Sequence, residues 1–224
     1  MSNITLVMTR MPLQEVNFGK KNGRWGKMIV VKGSKILSGS FTSEPGLPVN
    51  LPGMPEWIAK SGAIGATYDV INKVLGRTVL RLGNKNVSLQ TAGGDVEVVD
   101  EFDTLERFRT DDNKSKYYVQ LKPRPSLPYD LRLDTSKTVQ ETLPSTGGKC
   151  FRVLNHDTKN GNGGKAGILI HEAPHMGYLI GCIGPREVNN RTPGYNAAPS
   201  KRAMESLFKL ISSGKNAQLL VMDW

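Results

Sequence analysis

Residues 166–186 read AGILIHEAPHMGYLIGCIGPR, and this stretch decides how the chain is interpreted. Two of the three histidines and one of the two cysteines of the chain lie within it. The run 166–171 is apolar and rich in isoleucine, which is typical of a strand. A loop follows, and glycines then flank a cysteine. We therefore expect a strand that ends at His171 and a bend that presents Cys182.

The segment His171-Glu172-Ala173-Pro174-His175 spells H-E-x-x-H, the zinc-protease pattern. That pattern holds zinc only on a helix, where both imidazoles share one face. Pro174 opposes a helix here, because it removes a backbone donor and clashes with the preceding turn at a cost of about 3 kcal/mol. A third ligand would have to be Glu187 or Glu205. A zinc protease is kept as an alternative, while no metal and no cofactor are expected.

Nucleophilic catalysis is the second interpretation of this stretch. A thiol needs a base or a cation to form thiolate at neutral pH, and an imidazole is the natural base. Only eleven positions (182 − 171) separate His171 from Cys182. Gly181 and Gly184 allow the backbone around the thiol to approach a substrate closely. We therefore predict Cys182 as nucleophile and His171 as base, with N–H groups around Gly181 binding the oxyanion.

The third interpretation is that the cysteines are core residues, since cysteine is among the most buried residue types. Cys150 lies in an apolar run with Phe151 and Val153, and we expect it to be core. Cys182 alone fits the same description, but its glycines and the nearby histidine favour function. The sequence leaves open whether the two cysteines form a disulfide.

Alternating apolar residues separated by turn residues predict a β-rich chain. Residues 28–31 and 36–41 are predicted to form strands joined by a hairpin turn at 32–35. An apolar face predicts a helix at residues 67–75, and a longer apolar stripe predicts a second helix at 197–213. Further strands are expected at residues 4–8, 78–82, 86–90, 96–99, 117–121, 129–133, 150–154, 166–171 and 217–222.

The pattern of Ile170-His171-Glu172-Ala173-Pro174, a short loop and Gly181-Cys182-Ile183 resembles the active-site motif of L,D-transpeptidases. The predicted helix and strand after residue 197 resemble those that follow the cysteine in that fold. The chain is also similar to an uncharacterised phage- and bacteria-associated family with L,D-transpeptidase-like motifs. This second likeness adds Thr104-Leu105-Glu106, Pro125 to Tyr129, and Phe151 to Val153.

The resemblance covers roughly residues 103–222 and implies a mainly β (α+β) fold. This would be an L,D-transpeptidase-like β-sandwich or barrel with one C-terminal helix. It implies a catalytic domain at 103–224, preceded at 1–102 by a β-rich extension with one helix that is either separate or part of the same domain. The chain departs from the family at Ile180, where a histidine is usual, and at Gly184, where a polar residue is usual. Transfer, hydrolysis and exchange therefore all remain open.

The resemblance implies cysteine-dependent acyl chemistry on the stem peptides of peptidoglycan. Around the Cys182–His171 pair we expect the carbonyl of Glu172 to orient the imidazole. Arg186 is a candidate clamp for a substrate carboxylate, because its planar fork binds carboxylates in bidentate fashion. Tyr178 and His175 are candidate substrate-binding residues.

Charge and targeting signals suggest where the protein acts. Lys and Arg number 30 against 20 Asp and Glu, and the net charge of +10 favours anionic partners. The basic residues are scattered, so no specific nucleic acid is expected, and no apolar run predicts a membrane span. Without a signal peptide, we expect synthesis in the cytoplasm and action in the periplasm or at the cell wall after delivery by another route.

Two delivered forms fit this description: an antibacterial effector, or toxin, and a phage wall enzyme. The expected partners are then peptidoglycan peptides, a delivery machinery and a cognate immunity protein. A non-catalytic structural module of a phage or secretion apparatus is kept as a further alternative.

Overall fold

The structure is a computed structural model, and it describes residues 3–18, 21–42, 68–74, 76–82, 85–107, 121–143, 147–159, 164–179, 181–189, 197–211 and 216–223. The predicted strand at 117–121 lies outside these residues except for Leu121, which is not in a strand. The strands are β1 (Asn3–Phe18), β2 (Lys21–Gly33), β3 (Ile36–Thr42), β4 (Tyr68–Val74), β5 (Arg77–Leu82), β6 (Lys85–Thr91), β7 (Val96–Arg107), β8 (Tyr129–Asp134), β9 (Cys150–Val153), β10 (Leu169–Ile170), β11 (Ile183–Glu187) and β12 (Ala217–Asp223).

Eight of these strands form a closed barrel in the order β1-β12-β8-β9-β10-β11-β7-β2. Two neighbouring pairs run parallel, β1 with β12 and β10 with β11, and the other pairs run antiparallel. The predicted mainly β architecture is therefore confirmed. The barrel draws strands from both ends of the chain, and the predicted domain boundary at residue 102 falls within β7.

The other four strands form a separate sheet in the order β3-β6-β5-β4. The predicted hairpin between β2 and β3 is wrong, because β2 pairs with β1 and β7 while β3 pairs with β6. The chain leaves the barrel at Gly33, whose φ is 137°. A Cβ there would lie 2.4 Å from the carbonyl oxygen of Asp95, so a residue with a side chain is excluded. Glycine thus marks a change of sheet.

The helix predicted at 67–75 is also wrong, because residues Tyr68–Val74 form β4, which pairs with β5. Residues 67 and 75 lie outside the described residues. The run is short and rich in β-branched residues, and such a run fits both a helical stripe and a strand. Pairing with β5 decides in favour of the strand.

The predicted C-terminal helix is confirmed as α2 (Ala198–Leu210), and α1 (Lys137–Thr142), a helix of six residues, was not predicted. The apolar stripe of α2 buries Met204 and Leu207, which join the core cluster of the barrel interior. In the described residues, no helix is both long and apolar enough to cross a membrane.

Strand alternation sorts the apolar side chains of the barrel into separate clusters. Ile170 and Ile183 point into the barrel interior, where they join Met8 and the side chains of α2. On the outer face, Val7 and Leu220 pack against the four-stranded sheet. A smaller cluster on the outer face contains Trp25, Leu105, Leu169, Ala173, Leu179 and Cys182.

A buried ion pair ties one end of the barrel together. The Arg10 Nε donates to Glu106 Oε2 at 2.6 Å, and its Nη2 donates to Glu106 Oε1 at 2.9 Å. A further bond from Nη2 reaches the carbonyl oxygen of Leu121 at 2.6 Å. Both charged side chains are almost fully buried, so the pair links β1 to β7 where solvent is excluded.

Candidate active site

The parallel pairing of β10 with β11 positions the two predicted catalytic residues. Ile170 lies opposite Ile183, and the His171 N–H donates to the carbonyl oxygen of Ile183 at 3.1 Å. Both isoleucines face the barrel interior, so the residues next to them, His171 and Cys182, face outward on the same side. They are diagonal neighbours, and strands about 4.8 Å apart with a rise of about 3.3 Å per residue put such Cα atoms roughly 8 Å apart.

The His171 imidazole is held by its own loop. Its Nδ1 lies 2.7 Å from the carbonyl oxygen of Glu172, as predicted from the sequence. A carbonyl only accepts, so Nδ1 carries the proton and Nε2 is left as the proton acceptor. Burial lowers the pKa of His171, while the bond to Glu172 opposes this shift. The ring is therefore neutral at pH 7 and fit to act as a base.

The Cys182 thiol lies beside the same outer face. Its Sγ is 3.9 Å from the carbonyl oxygen of Gly167, and the residue is 8% exposed. Burial raises the pKa of Cys182 to about 11, against smaller opposing effects of a Leu169 backbone hydrogen bond and the charge of Arg152. At neutral pH the sulfur is therefore a thiol. A base must take its proton as it attacks a substrate.

The glycines beside the cysteine have distinct structural roles. Gly181 adopts a φ of 79°, a left-handed conformation that other residues rarely take. Gly184 leaves space for the loop that covers the site, since a Cβ there would lie 3.1 Å from the Ala173 Cβ and 3.3 Å from Leu179 Cδ1. The glycine spacing noted in the sequence thus fits both a sharp bend and a close approach.

The segment 172–179 lies over this face, and we call it the covering loop. Ser200, at the start of α2, is fully buried beneath it. Its Oγ accepts from the Ala173 N–H at 3.0 Å and donates to the Pro185 carbonyl oxygen at 2.7 Å. One hydroxyl therefore joins the covering loop, β11 and α2. Local sequence patterns do not indicate this role, because a serine at a helix start is normally assigned to capping.

Arg186 also holds the covering loop. Its Nη1 donates to the carbonyl oxygens of Ala173 at 3.2 Å and Pro174 at 3.0 Å. The residue is 2% exposed, and burial lowers the pKa of its guanidinium while the nearby Asp103 opposes this shift. Asp103, directly opposite Arg186, forms an ion pair with Lys27 at 3.0 Å. This burial favours a role in holding the loop over the predicted role as a substrate clamp.

The other predicted site residues lie on the covering loop itself. Glu172 is buried, and its Oε2 has no hydrogen-bond partner among the residues that the structure describes. His175 is buried too, and its Nδ1 accepts from the Gly177 N–H at 3.0 Å. The ring of Tyr178 packs edge-on against that of His175 at 4.9 Å between centroids, and Tyr178 is 58% exposed. Tyr178 is thus the side chain of this group that meets solvent.

The H-E-x-x-H segment is not helical. His171 follows β10 directly, Pro174 and His175 form a bend, and a short 3₁₀ turn spans Met176–Tyr178. The two imidazoles therefore lack the shared helix face that zinc proteases require. Within the part of the chain that the structure describes, no three His, Cys, Asp or Glu side chains are grouped to hold a metal ion.

Cys150 and Cys182 lie next to opposite edges of β10, Cys150 in β9 and Cys182 just before β11. Extending the register of β9 with β10 by one residue places Cys150 opposite His171. It is fully buried, and burial raises its pKa to about 12. No disulfide joins Cys150 to Cys182. One strand lies between them, so their Cα atoms are about 9–10 Å apart or more, beyond the span of a disulfide.

Comparison with known proteins assigns no relative: no family model, no curated protein and no solved structure matches the chain. The geometry of the site therefore carries the functional argument.

Proposed function

We propose that the protein is a cysteine-dependent acyl transferase or hydrolase that acts on the stem peptides of peptidoglycan, with Cys182 as nucleophile and His171 as base. The observation that supports this proposal is the pairing of Ile170 with Ile183. By strand alternation, the flanking residues His171 and Cys182 are then expected on one face. The bond from His171 Nδ1 to the Glu172 carbonyl oxygen supports it, since it leaves Nε2 available as the base.

The chemistry needs no group beyond the chain and its substrate. As the Cys182 sulfur attacks a peptide carbonyl carbon, His171 Nε2 takes the thiol proton. A carbon–sulfur bond forms, the carbon–nitrogen bond breaks, and the proton passes to the departing amine. An amine or a water molecule then attacks the thioester and regenerates the thiol. Backbone N–H groups around Gly181 are the proposed donors to the oxyanion.

Because both residues are nearly buried, access runs through the covering loop. His171 is 5% exposed and Cys182 is 8% exposed. Ser200 and Arg186 fasten the start of the loop, whereas Tyr178, further along, is exposed. We propose that the Tyr178 end moves to admit substrate while the Ser200 end stays fixed. His175 would move with Tyr178 because the two rings are in contact.

The substrate class rests on charge and on sequence resemblance. A net charge of +10 favours work beside an anionic polymer such as the cell wall. The resemblance of the His171 and Cys182 motifs to L,D-transpeptidases points to wall peptides. The barrel would then be an L,D-transpeptidase-like catalytic fold. We further propose that the protein reaches the periplasm by delivery, as an antibacterial effector or a phage wall enzyme.

The test is mass spectrometry of peptidoglycan fragments after incubation with the wild type and three variants. The wild type is expected to give new cross-links, trimmed stems or exchanged terminal residues. Cys182→Ala should reduce these products to background, and His171→Gln should reduce them about 10²–10⁴-fold, the usual contribution of a general base. Cys150→Ala is the matched thiol control and should retain activity.

Unchanged fragments with the wild type, or full activity in Cys182→Ala, would overturn the proposal.

The low exposure of Cys182 also supports a second candidate, a non-catalytic structural module. In that case the fragments stay unchanged and Cys182 in the folded protein resists iodoacetamide at every pH.

A further inference from the structure

Arginines line the strands on both sides of Cys182. Arg152 in β9 lies opposite Arg132 in β8 and opposite Leu169 in β10. Extending the β10–β11 register by one residue places Cys182 beside Leu169, and extending the β11–β7 register places Arg107 on its other side. Directly opposed residues share a sheet face, so these guanidiniums and the thiol occupy one row on the outer face.

Gly167 lies close to both the Cys182 sulfur and the Arg152 guanidinium. The Cys182 Sγ is 3.9 Å from the Gly167 carbonyl oxygen. The Arg152 Nη1 lies 3.5 Å from the point that a Cβ on Gly167 would occupy. The thiol and the Arg152 guanidinium therefore both lie beside Gly167. Arg152 is also among the charges that oppose the raised pKa of Cys182.

The two arginines beyond Leu169 are accessible. The Arg152 side chain is 31% exposed, and its Nε is held by Asp134 Oδ2 at 2.5 Å. That bond fixes the guanidinium along one edge. Arg132, its cross-strand neighbour, is exposed. On the outer face of β8, Arg132 lies between Asp134, which pairs with Arg152, and Asp130, which accepts from the Asn155 side chain. Arg186, by contrast, is buried against loop carbonyls.

We infer that Arg132 and Arg152 form a carboxylate-binding subsite beside Cys182, so that the preferred acyl donor carries a free carboxylate close to the scissile carbonyl. Arginine suits this role because its planar fork binds a carboxylate through two parallel hydrogen bonds. Arg152 is held by Asp134 and sets the position of the subsite, while Arg132 adds charge from the solvent side. The role of the bound group as an acyl donor rests on the proposed function. Anion binding at this subsite can be tested without turnover.

The experiment compares alkylation of Cys182 by iodoacetate and by iodoacetamide, which are anionic and neutral. Each reagent forms one carbon–sulfur bond and releases iodide and the thiol proton. Peptide mass spectrometry measures both rates. The rate with iodoacetate divided by the rate with iodoacetamide is then compared with the same ratio for a small free thiol. At low salt the wild-type ratio should exceed that of the free thiol about three- to tenfold. About 1 M salt should remove most of this excess.

Substitutions assign the preference to the two arginines. Arg132→Gln changes an exposed residue and should lower the ratio by about threefold. Arg152→Lys keeps the charge but loses the fork, and should lower the ratio while preserving the link to Asp134. Arg77→Gln, an exposed arginine in the four-stranded sheet, is the matched control and should leave the ratio unchanged.

A wild-type ratio equal to that of the free thiol, or an equal change in Arg77→Gln, would overturn the inference. A second arm compares wall peptides with free and amidated carboxylates. If both peptides are processed equally and the wild-type ratio equals that of a free thiol, the subsite is wrong but the proposed function is retained. If the wild-type alkylation ratio is high but neither peptide is processed, the proposed function is wrong and an anion site beside a reactive thiol is retained.

Discussion

The two cysteines lie on the same outer face of one barrel, on either side of β10, yet their surroundings differ. Cys150 is fully buried and its pKa is raised to about 12, by burial first and by the adjacent Asp134 second. Cys182 keeps 8% exposure and a pKa of about 11, and among the described residues no carboxylate adds to the shift. One sheet face thus holds a fully buried cysteine and one that keeps slight exposure. The identity of the neighbouring residue, rather than burial alone, separates them.

The largest expected effect is on the relative reactivity of these thiols. At pH 8.5, iodoacetamide should modify Cys182 in the folded protein about a hundredfold faster than Cys150. A pKa lower by about one unit supplies a factor of roughly ten, and the exposure of Cys182 supplies the rest. Peptide mass spectrometry measures both rates in one sample. Equal rates would remove the contrast, and unfolding in denaturant serves as the control that makes both thiols accessible.

A smaller effect, about tenfold per pH unit, concerns Cys182 itself. Because its pKa lies above that of a free thiol, the thiolate is the minor form below pH 11, and its fraction rises as pH rises. The alkylation rate should therefore climb steadily from pH 7 to pH 9.5. A free cysteine levels off near its pKa of about 8.5. A plateau for Cys182 at or below that pH would show a thiolate–imidazolium pair instead of two neutral groups.

The smallest expected effect comes from loosening the covering loop. Ser200→Ala removes the hydroxyl that accepts from Ala173 and donates to Pro185. Two buried backbone groups lose their partner, which should cost about 1–3 kcal/mol in the free energy of unfolding by urea. In the folded state, Cys182 should react a few-fold faster with iodoacetamide because the loop opens more often. Ser200→Thr, which keeps a hydroxyl, is the control, and unchanged alkylation in Ser200→Ala would show that the loop does not limit access.

Much of the frame of the site was predictable from the sequence. A strand just before His171, the bend at Cys182 and the carbonyl contact of Glu172 all follow from local patterns, although the strand is Leu169–Ile170 and not the predicted 166–171. Local patterns failed where two of them coincided, as at Tyr68–Val74, or where a turn led to a different sheet, as at Gly33. Both errors concern partners distant in sequence, which periodicity does not report.

The parts of the site that the sequence did not reveal are those created by register. Arg152 comes close to Cys182 only because β9, β10 and β11 are aligned in one order. Ser200 reaches Ala173 only because α2 packs under the covering loop. Arg186 was a candidate carboxylate clamp in the sequence, and only the fold shows that its Nη1 donates to carbonyl oxygens of the covering loop.

The seam between β1 and β12 has a consequence for how the protein is made. Ile4 pairs with Ala217, so the barrel closes through residues 213 positions apart (217 − 4). During translation, β1 waits with one edge bare until β12 has left the ribosome, and an unpaired edge invites pairing with other chains. Such distant pairing is also slow to form. We therefore expect the yield of folded protein to rise with chaperone supply during synthesis.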